Sequence, residues 1–319
     1  MFTHILSNFK IQKSLPKIIA IFGPTASGKS ALALSIAQLI QSHYQIQTEL
    51  ICIDATTVYQ GFNLGANKPT EQEQAKYPHH MLNIVTPHAH YHAGLFEQQA
   101  WPILQNIHQQ QHVAILVVGT FLYYRALIYG LCNIPNIPIE IRQTLLEKEQ
   151  KTPGYIANQV QLIDPISYQE AHGKNMPRLV RALEIYLHTG QTASALRQAH
   201  GFTTPRLSPI YKIGLNPERM FLNQRIYART QYMLENGLIE EVFQLKQQGL
   251  SADLKPMQAI GYKQVNDWFN HKTSLEELHQ KIVESTRQYA KKQISFFKQE
   301  KDIHWYGITQ EKDQYQSMN

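Results

Sequence analysis

Apolar runs alternate with segments of helical periodicity in the first half of the chain. Buried strands are predicted at three short runs of apolar and β-branched residues, namely 17–22 (KIIAIF), 49–54 (ELICID) and 113–119 (VAILVVG). After the first run, helical spacing of apolar side chains marks residues 29–40, at Leu32, Ile36, Leu39 and Ile40. Strands that alternate with helices predict an α/β fold, in which helices flank a parallel sheet.

The pattern changes after Gly130. Residues 132–140 are punctuated by prolines and read as a connector, and the pattern from 141 to 199 is helical with several breaks. A further strand is predicted at 209–215 (PIYKIGL), and long helical segments follow it. We therefore predict a core made of residues 1–131 and 206–319, with C-terminal helices, and a mostly helical insertion domain over 132–205.

Composition excludes several classes of protein. Of the 319 residues, 43% are hydrophobic and only 17% are charged, which suits a chain with a buried core rather than a disordered one. No run approaches the roughly 18 apolar residues of a membrane-spanning helix. Two cysteines, Cys52 and Cys132, provide neither a disulfide framework nor a zinc site, which is typical of a cytoplasmic protein.

Positive charge is modest and unevenly placed. The formal net charge is +6, and the segment 281–301 holds six Lys or Arg residues against two acidic ones. Such clustering suits a polyanionic partner, whether nucleic acid, an acidic membrane surface or a substrate with phosphates. A solvated helix face is the alternative, which composition alone slightly favours. The first 16 residues are free of acids but lack the arginines of a transit peptide, so we interpret them as a short N-terminal extension.

A phosphate-binding motif follows the first predicted strand and opens the first helix. The pattern G-x-x-x-x-G-K-[ST] is matched by Gly23, Pro24, Thr25, Ala26, Ser27, Gly28, Lys29 and Ser30. Backbone N–H groups of such a loop converge on phosphate oxygens, Lys29 adds a positive charge, and the Ser30 hydroxyl is the expected Mg²⁺ ligand. The motif predicts a P-loop NTPase-like core that binds a diphosphate or triphosphate, and it leaves open whether that ligand is a nucleotide.

A carboxylate lies at the end of the second predicted strand. Asp54 ends the run ELICID, at the sheet edge where ligands of open α/β sheets bind. A carboxylate in this place can hold Mg²⁺ or accept a proton from an incoming nucleophile. The alternative, an aspartate that begins a turn, becomes weaker beside a phosphate-binding loop.

Several longer segments carry a family resemblance. In chain order they are GPTASGKS (23–30), D-x-x-x-VY-x-G-x-x-x-G-x-x-KP (54–69), GTFLYYRAL (119–127), PRLVRALEIYLHTG (177–190), QRIYARTQYMLENGLIEEV (224–242), AIGYKQ (259–264) and TRQYAKKQISFF (286–297). Together they resemble the tRNA dimethylallyltransferases, also called tRNA isopentenyltransferases, over residues 17–306. No C-terminal zinc-finger pattern follows, so the resemblance is to the short bacterial form.

The resemblance implies transfer of a dimethylallyl group from dimethylallyl pyrophosphate to N6 of the tRNA adenine that lies 3′ of the anticodon. The P-loop would then hold the pyrophosphate leaving group, with Mg²⁺ at Ser30. Asp54 matches the family's proposed general base, and Lys29, Thr120 and Arg225 match positions near the reacting groups. The family also implies a monomer. Physical chemistry agrees, because amides, Lys29 and Mg²⁺ would stabilise the charge of the departing pyrophosphate.

The same resemblance implies which residues contact tRNA. They are Asp54, Ala55, Thr56, Thr57, Thr120, Pro177, Arg178, Leu179, Val180, Arg181, Ala259, Ile260, Gly261, Tyr262, Lys263 and Gln264. Arg178 and Arg181, three residues apart, can share one helix face. In the segment 281–301 we expect Arg287, Lys291 and Lys298 to share an exposed face, with Ile282, Tyr289 and Phe296 on the packed side.

Some positions depart from the family pattern. Ala55 stands where a serine is usual, Val118 where a glycine is usual, and Asn63, Asn83 and Asn175 where aspartate is common. We expect these changes to alter the geometry around the adenine and the Mg²⁺ waters, and Val118 to add bulk beside the ligand.

Two other readings of the chain stay open at this point. One is a P-loop kinase of a small phosphoacceptor, and the other is a catalytically impaired tRNA-binding paralogue.

A group of five histidines, His79, His80, His88, His90 and His92, suggests a metal site. No cysteine or paired carboxylate completes such a site, so solvated loop histidines are expected.

Overall fold

The computed structural model describes residues 3–10, 15–132, 134–201 and 204–309. It forms two compact units, here called the core unit, Met1–Leu127 with Leu207–Asn319, and the helical unit, Ile128–Arg206. The sequence placed the corresponding boundaries after residues 131 and 205. In the described residues, no helix combines the length and the apolar character needed to cross a bilayer.

A six-stranded parallel sheet forms the centre of the core unit, and it confirms the predicted fold class. Its strands are β1 (Ile18–Phe22), β2 (Thr48–Ile53), β3 (His79–His80), β4 (Val113–Val118), β5 (Ile210–Pro217) and β6 (His304–Ile308), in the spatial order β3-β2-β4-β1-β5-β6. The four predicted strands are all present. The two edge strands were not predicted, because β3 has only two residues and β6 is largely exposed and mixes polar with aromatic residues.

Helices cover the sheet and follow the strands along the chain. The first five are α1 (Thr3–Lys10), α2 (Lys29–Tyr44), α3 (Glu71–Lys76), α4 (Ala93–Gln109) and α5 (Phe121–Tyr129). The helix α2 buries Leu32, Ile36 and Ile40 in a cluster with Ile19 and Ile21 of β1. Each such side chain contributes about 1.5–3 kcal/mol by leaving water. This burial fixes the P-loop, which joins β1 to α2, at the carboxyl edge of the sheet.

Five helices build the helical unit, α6 (Ile139–Lys151), α7 (Tyr155–Ile163), α8 (Pro165–Glu170), α9 (Met176–Thr189) and α10 (Ala193–His200). Its core contains Leu145, Val160 and Leu179. The buried Asp164 carboxylate caps two of these helices, since it accepts hydrogen bonds from the Ser167 and Ser194 amides at 3.0 Å each. The predicted helical character of this segment is confirmed.

Four helices complete the core unit, α11 (Arg219–Glu235), α12 (Leu238–Gln247), α13 (Tyr262–Phe269) and α14 (Leu275–Phe297). The expected packed side of α14 is wrong in part. Ile282 is buried, but Tyr289 and Phe296 are 36% and 42% exposed. A seven-residue repeat drifts about 20° per heptad on a straight helix, so the two later positions fall at the edge of the apolar stripe. Gln293 and Phe297 are buried in their place.

Candidate active site

The P-loop closes into a tight turn between β1 and α2. The Ser27 amide donates to the Pro24 carbonyl at 3.2 Å, and Gly28 begins α2 with a φ of 95°. A Cβ atom on Gly23 would lie 2.7 Å from the Ser27 hydroxyl oxygen and 3.0 Å from Leu215, so the loop tolerates only glycine there. The predicted motif therefore forms a tight turn that leads directly into the N-terminus of α2.

Lys29 is held inside this loop. Its Nζ donates to the Gly23 carbonyl at 2.7 Å and to the Pro24 carbonyl at 2.9 Å. Burial lowers the pKa of Lys29 to about 7, with a further lowering from Arg229, while Asp54 acts in the opposite direction. Near neutral pH, Lys29 is therefore protonated in only part of the molecules before an anion binds.

Asp54 follows β2 and faces this lysine. Its Oδ1 accepts the Thr56 amide at 2.8 Å. Burial raises the pKa of Asp54, and the Thr56 amide, Lys29 and Arg229 counteract that rise. Gly119, at the end of β4, lies directly against the carboxylate, since a Cβ there would collide with Asp54 Oδ2. A half-buried carboxylate whose pKa is raised by desolvation suits a group that accepts a proton.

The departure at position 118 does not crowd this site. Val118 is fully buried in β4, whereas its neighbours Val117 and Gly119 line the cavity described below. Successive side chains of a strand point to opposite faces, so the valine packs away from the ligand side. The prediction that Val118 adds bulk beside the ligand is therefore wrong.

Thr120 and α14 join the two sides of the site. The Thr120 hydroxyl oxygen accepts the Ala55 amide at 3.0 Å. The buried Gln293 amide bridges the loops, because its Oε1 accepts the Thr25 amide at 2.7 Å and its Nε2 donates to the Gly119 carbonyl at 2.8 Å. Sequence reasoning missed Gln293. The feature of the sequence that could have revealed it is a polar residue on the otherwise apolar face of α14.

Two arginines of α11 reach the P-loop. Arg225 Nε donates to the Ala26 carbonyl at 2.8 Å. Arg229 Nη1 donates to the Thr25 hydroxyl at 2.7 Å and faces Asp54, while its buried Nε has no hydrogen-bond partner in the part of the chain that the structure describes. Arg229 was also missed, although its spacing of four from Arg225 places both on one face of a helix.

Two neighbouring cavities meet at Asp54. The larger, about 610 Å³, is lined by Thr25 to Ser30 of the P-loop, by Asp54 and by both α11 arginines. The smaller, about 260 Å³, is lined by Thr56, Ala259 and Ile260 among others. Thr25, Asp54, Ala66, Arg229 and Tyr289 line both. One carboxylate thus borders the P-loop cavity and a second, smaller cavity.

Of the residues predicted to contact RNA, some line a cavity or are exposed, and others are buried. In the core unit, Asp54, Thr56, Ala259 and Ile260 line the smaller cavity, Ala55 is half-buried, Lys263 is exposed and Gln264 accepts the Gly261 amide at 2.8 Å. Thr57, Gly261 and Tyr262 are buried. In the helical unit, Pro177, Arg178 and Arg181 are exposed. Leu179 and Val180 lie in the core of that unit. Buried side chains such as those of Tyr262, Leu179 and Val180 are not presented to an RNA.

Two of the asparagine departures meet at one lysine. Lys68 Nζ donates to the Asn83 amide oxygen at 2.5 Å, to the Asn63 amide oxygen at 3.3 Å and to the Tyr59 carbonyl at 2.6 Å. Burial lowers the pKa of Lys68 to about 8, against the influence of Glu241. Amide oxygens therefore lie beside this ammonium at two of the positions where the sequence departs from the expected aspartate.

The histidine group is not a set of solvated loop residues throughout. His79 and His80 form β3 and are half-buried, and His80 Nε2 lies 2.7 Å from the Glu49 carboxylate, as does His112 Nδ1. That expectation is wrong for these two, because the chain pairs with β2 there. The other three, His88, His90 and His92, are exposed. Over the described ranges, no three His, Cys, Asp or Glu side chains are arranged to hold a metal ion.

Comparisons with known proteins agree with this geometry. Residues 57–300 match the family described as IPP transferase. The chain is 37% identical over 290 residues to tRNA dimethylallyltransferase 2 of Geotalea uraniireducens, and 36% identical over 290 residues to tRNA dimethylallyltransferase 1 of Citrifermentans bemidjiense. Each alignment spans 91% of both proteins.

Solved structures give the same result. The tRNA delta(2)-isopentenylpyrophosphate transferase of Staphylococcus epidermidis is similar with a TM-score of 0.64 and 32% identity, covering 92% of this chain and 93% of that one. A eukaryotic dimethylallyltransferase acting on tRNA is similar with a TM-score of 0.75 and 28% identity, covering 92% of this chain and 74% of that one. By sequence and by structure, the chain belongs to the IPP transferase family.

Proposed function

We propose that this chain transfers a dimethylallyl group from dimethylallyl pyrophosphate to N6 of the adenine 3′ of the anticodon in tRNA. The observation that carries the proposal is the Asp54 carboxylate, which borders both the P-loop cavity and the smaller cavity. Family membership supports the reaction type. A kinase of a small phosphoacceptor finds no support among these relatives.

In this reaction the C1–O bond of the allyl pyrophosphate breaks and a bond from N6 to C1 forms. The bond electrons leave with the pyrophosphate, and the proton on N6 passes to Asp54. Adenine nitrogen is a weak nucleophile because its lone pair is delocalised into the ring, so a base is useful. The raised pKa of Asp54 brings its basicity closer to neutral pH.

The leaving group would lie in the larger cavity. P-loop amides, Lys29, Arg225 and Arg229 surround that space with donors, which lowers the free energy of the charge that develops as the bond breaks. Gln293 positions the P-loop against the end of β4 through its two hydrogen bonds. Thr120, beside the Ala55 amide, is proposed to lie next to the adenine.

A Mg²⁺ ion is part of the proposal. Ser30 lines the larger cavity, and the buried Ser27 hydroxyl has no hydrogen-bond partner among the described residues. Oxygen donors of this kind fit a hard cation that keeps several waters. When bound, Mg²⁺ would supply further positive charge to the pyrophosphate oxygens.

The acceptor would be tRNA, with its adenine out of the anticodon stack and in the smaller cavity. We place the RNA contacts on Thr56, Ala259, Ile260 and Lys263 of the core unit, and separately on Pro177, Arg178 and Arg181 of the helical unit. A tRNA substrate and two free thiols support a cytoplasmic location. A monomer is proposed from the family resemblance.

The test is prenyl transfer to an anticodon stem-loop. Purified protein is incubated with labelled dimethylallyl pyrophosphate and a stem-loop that has adenine 3′ of the anticodon, with Mg²⁺ and with EDTA. A stem-loop with guanine at that position is the matched control. Label on the adenine stem-loop alone is expected. Absence of label together with ATP turnover on a small acceptor would contradict the proposal, and label that persists in EDTA would remove Mg²⁺ from it.

A further inference from the structure

A single carboxylate on α12 holds a loop that walls the candidate site. The loop consists of residues 63–67 and is called the 63–67 loop below. Glu241 accepts three of its backbone amides, from Leu64 at 2.7 Å, from Asn63 at 3.2 Å and from Gly65 at 3.4 Å. Hydrogen bonds to an ionised acceptor are stronger than neutral ones, so this carboxylate fixes the path of three successive residues.

Tyr262 completes the support from behind. Its hydroxyl donates to Glu241 at 2.5 Å and accepts the Ala66 amide at 3.1 Å. Its ring lies directly against the loop, because a Cβ atom on Gly65 would come within 2.5 Å of it. Burial, with the nearby Glu241 charge, raises the pKa of Tyr262 well above its usual value, so the hydroxyl stays a donor.

The loop, and not its supports, faces the ligands. Ala66 lines both cavities, Gly65 lines the smaller and Asn67 lines the larger. Glu241 and Tyr262 line neither cavity. A residue that contacts only the back of such a wall can affect catalysis through the position of the wall alone.

We propose that Glu241 is a positioning residue that, together with Tyr262, holds the 63–67 loop in the arrangement that forms both substrate cavities. Neither the family resemblance nor the motif pattern assigns this part to Glu241, and the expected RNA contact at Tyr262 is replaced by it. The proposal rests on the prenyl-transfer function for its kinetic consequences. Its structural consequence, protection of the loop amides, does not depend on that function.

The kinetic consequence is a selective rise in KM. If the loop leaves its place part of the time, only the remaining fraction of molecules binds substrate well, and the apparent affinity falls in proportion to that fraction. Saturating substrate selects the competent arrangement, so kcat changes little. Loss of folded protein acts differently, because it lowers the apparent kcat and leaves KM unchanged.

The test uses Glu241→Gln with Glu240→Gln as the matched control. Glu240 lies in the same turn of α12 and is exposed, so its variant removes the same charge from the same helix. We expect Glu241→Gln to raise KM for dimethylallyl pyrophosphate and for the stem-loop about tenfold, the factor that corresponds to about 1.4 kcal/mol. We expect kcat to fall less than about threefold, and Glu240→Gln to match the parent.

A second variant and a second readout guard against misfolding. Tyr262→Phe keeps the ring and removes the hydroxyl, and in the double variant the effects on KM should be less than additive, because both act on one loop. Hydrogen exchange over residues 60–68 should be about tenfold faster in Glu241→Gln than in Glu240→Gln. Unchanged exchange, or a fall in kcat at constant KM, would overturn the proposal. A parent that transfers no prenyl group would overturn the proposed function, while the exchange result would still decide the role of Glu241.

Discussion

The protonation of Lys29 leads to a pH dependence of pyrophosphate binding. In the free protein the Lys29 pKa is about 7, because the ammonium is desolvated among the P-loop residues and Arg229 lies near it. A bound diphosphate would place negative charge beside the ammonium and raise that pKa. Binding therefore requires uptake of a proton once the pH exceeds about 7, and the affinity should fall from there towards higher pH.

The size of the effect follows from the pKa of Lys29 in the free protein. At pH 6 about nine-tenths of the molecules already carry the proton, and at pH 8 about one-tenth do, for a group that titrates near 7. If the bound-state pKa lies well above 8, the contribution of Lys29 to the dissociation constant worsens about tenfold between pH 6 and pH 8. A tenfold change is about 1.4 kcal/mol, which is within reach of calorimetry.

Isothermal titration with inorganic pyrophosphate measures this contribution. The parent and Lys29→Met are titrated at pH 6 and pH 8 in the absence of divalent metal. Pyrophosphate also titrates in this range, but both proteins bind the same ligand, so its protonation cancels in the ratio of their dissociation constants. The advantage of the parent over Lys29→Met should shrink about tenfold from pH 6 to pH 8. Buffers with different ionisation enthalpies should show about one more proton taken up by the parent at pH 8.

An unfavourable result is equally clear. If the advantage of the parent is the same at both pH values, Lys29 does not titrate in this range and its burial has no bearing on binding. If the advantage grows with pH, binding of pyrophosphate releases a proton from Lys29 instead of taking one up, and the inference from burial is refuted.

Three further predictions concern Asp54, the contact between Asn83 and Lys68, and the exposed Lys291. Asp54→Asn should lower the single-turnover rate of prenyl transfer by about 10²–10⁴ with little change in stem-loop affinity, and an unchanged rate would exclude Asp54 as the base. Asn83→Asp should place a carboxylate beside Lys68, raise the lysine pKa and add about 1 kcal/mol to the free energy of urea unfolding at pH 7 after allowance for partial exposure. That gain should disappear as the pH falls through the folded-state pKa of the new carboxyl. The control is Asn106→Asp, at an exposed position. Equal free energies of unfolding for the two variants would contradict the ion pair. Lys291→Ala should reduce the slope of log affinity for tRNA against log salt by about one contact, and a slope equal to that of the parent would place this exposed side chain off the RNA.

Local patterns predicted much of the fold. The four strands at the centre of the sheet, and the loop between β1 and α2, are all visible in the sequence because a buried parallel strand needs a continuous apolar run and the P-loop needs glycines at fixed places. The edge strands β3 and β6 escaped prediction, since their pairing depends on a neighbour rather than on their own residues. The stripe on α14 was misplaced because a period of seven differs from the 3.6-residue turn.

The candidate site divides in the same way. The P-loop and Asp54 could be predicted because motif spacing places them at one edge of a sheet, and Arg225 was expected from the family resemblance alone. Arg229 and Gln293 could not be selected, since their role depends on α11 and α14 approaching the P-loop across more than two hundred residues of sequence. Tyr262 was expected to face RNA and is instead buried behind the 63–67 loop.

By itself, the sequence determined the α/β class, the phosphate cradle and the carboxylate beside it, because each depends on short-range periodicity or on a motif whose residues are adjacent. Only the tertiary structure decided which side chains face the two cavities and which support them. Glu241 shows the reason, because its carboxylate accepts backbone amides almost two hundred residues away in the sequence. Every residue except proline has such an amide, so the identities of the residues do not reveal which amides it binds.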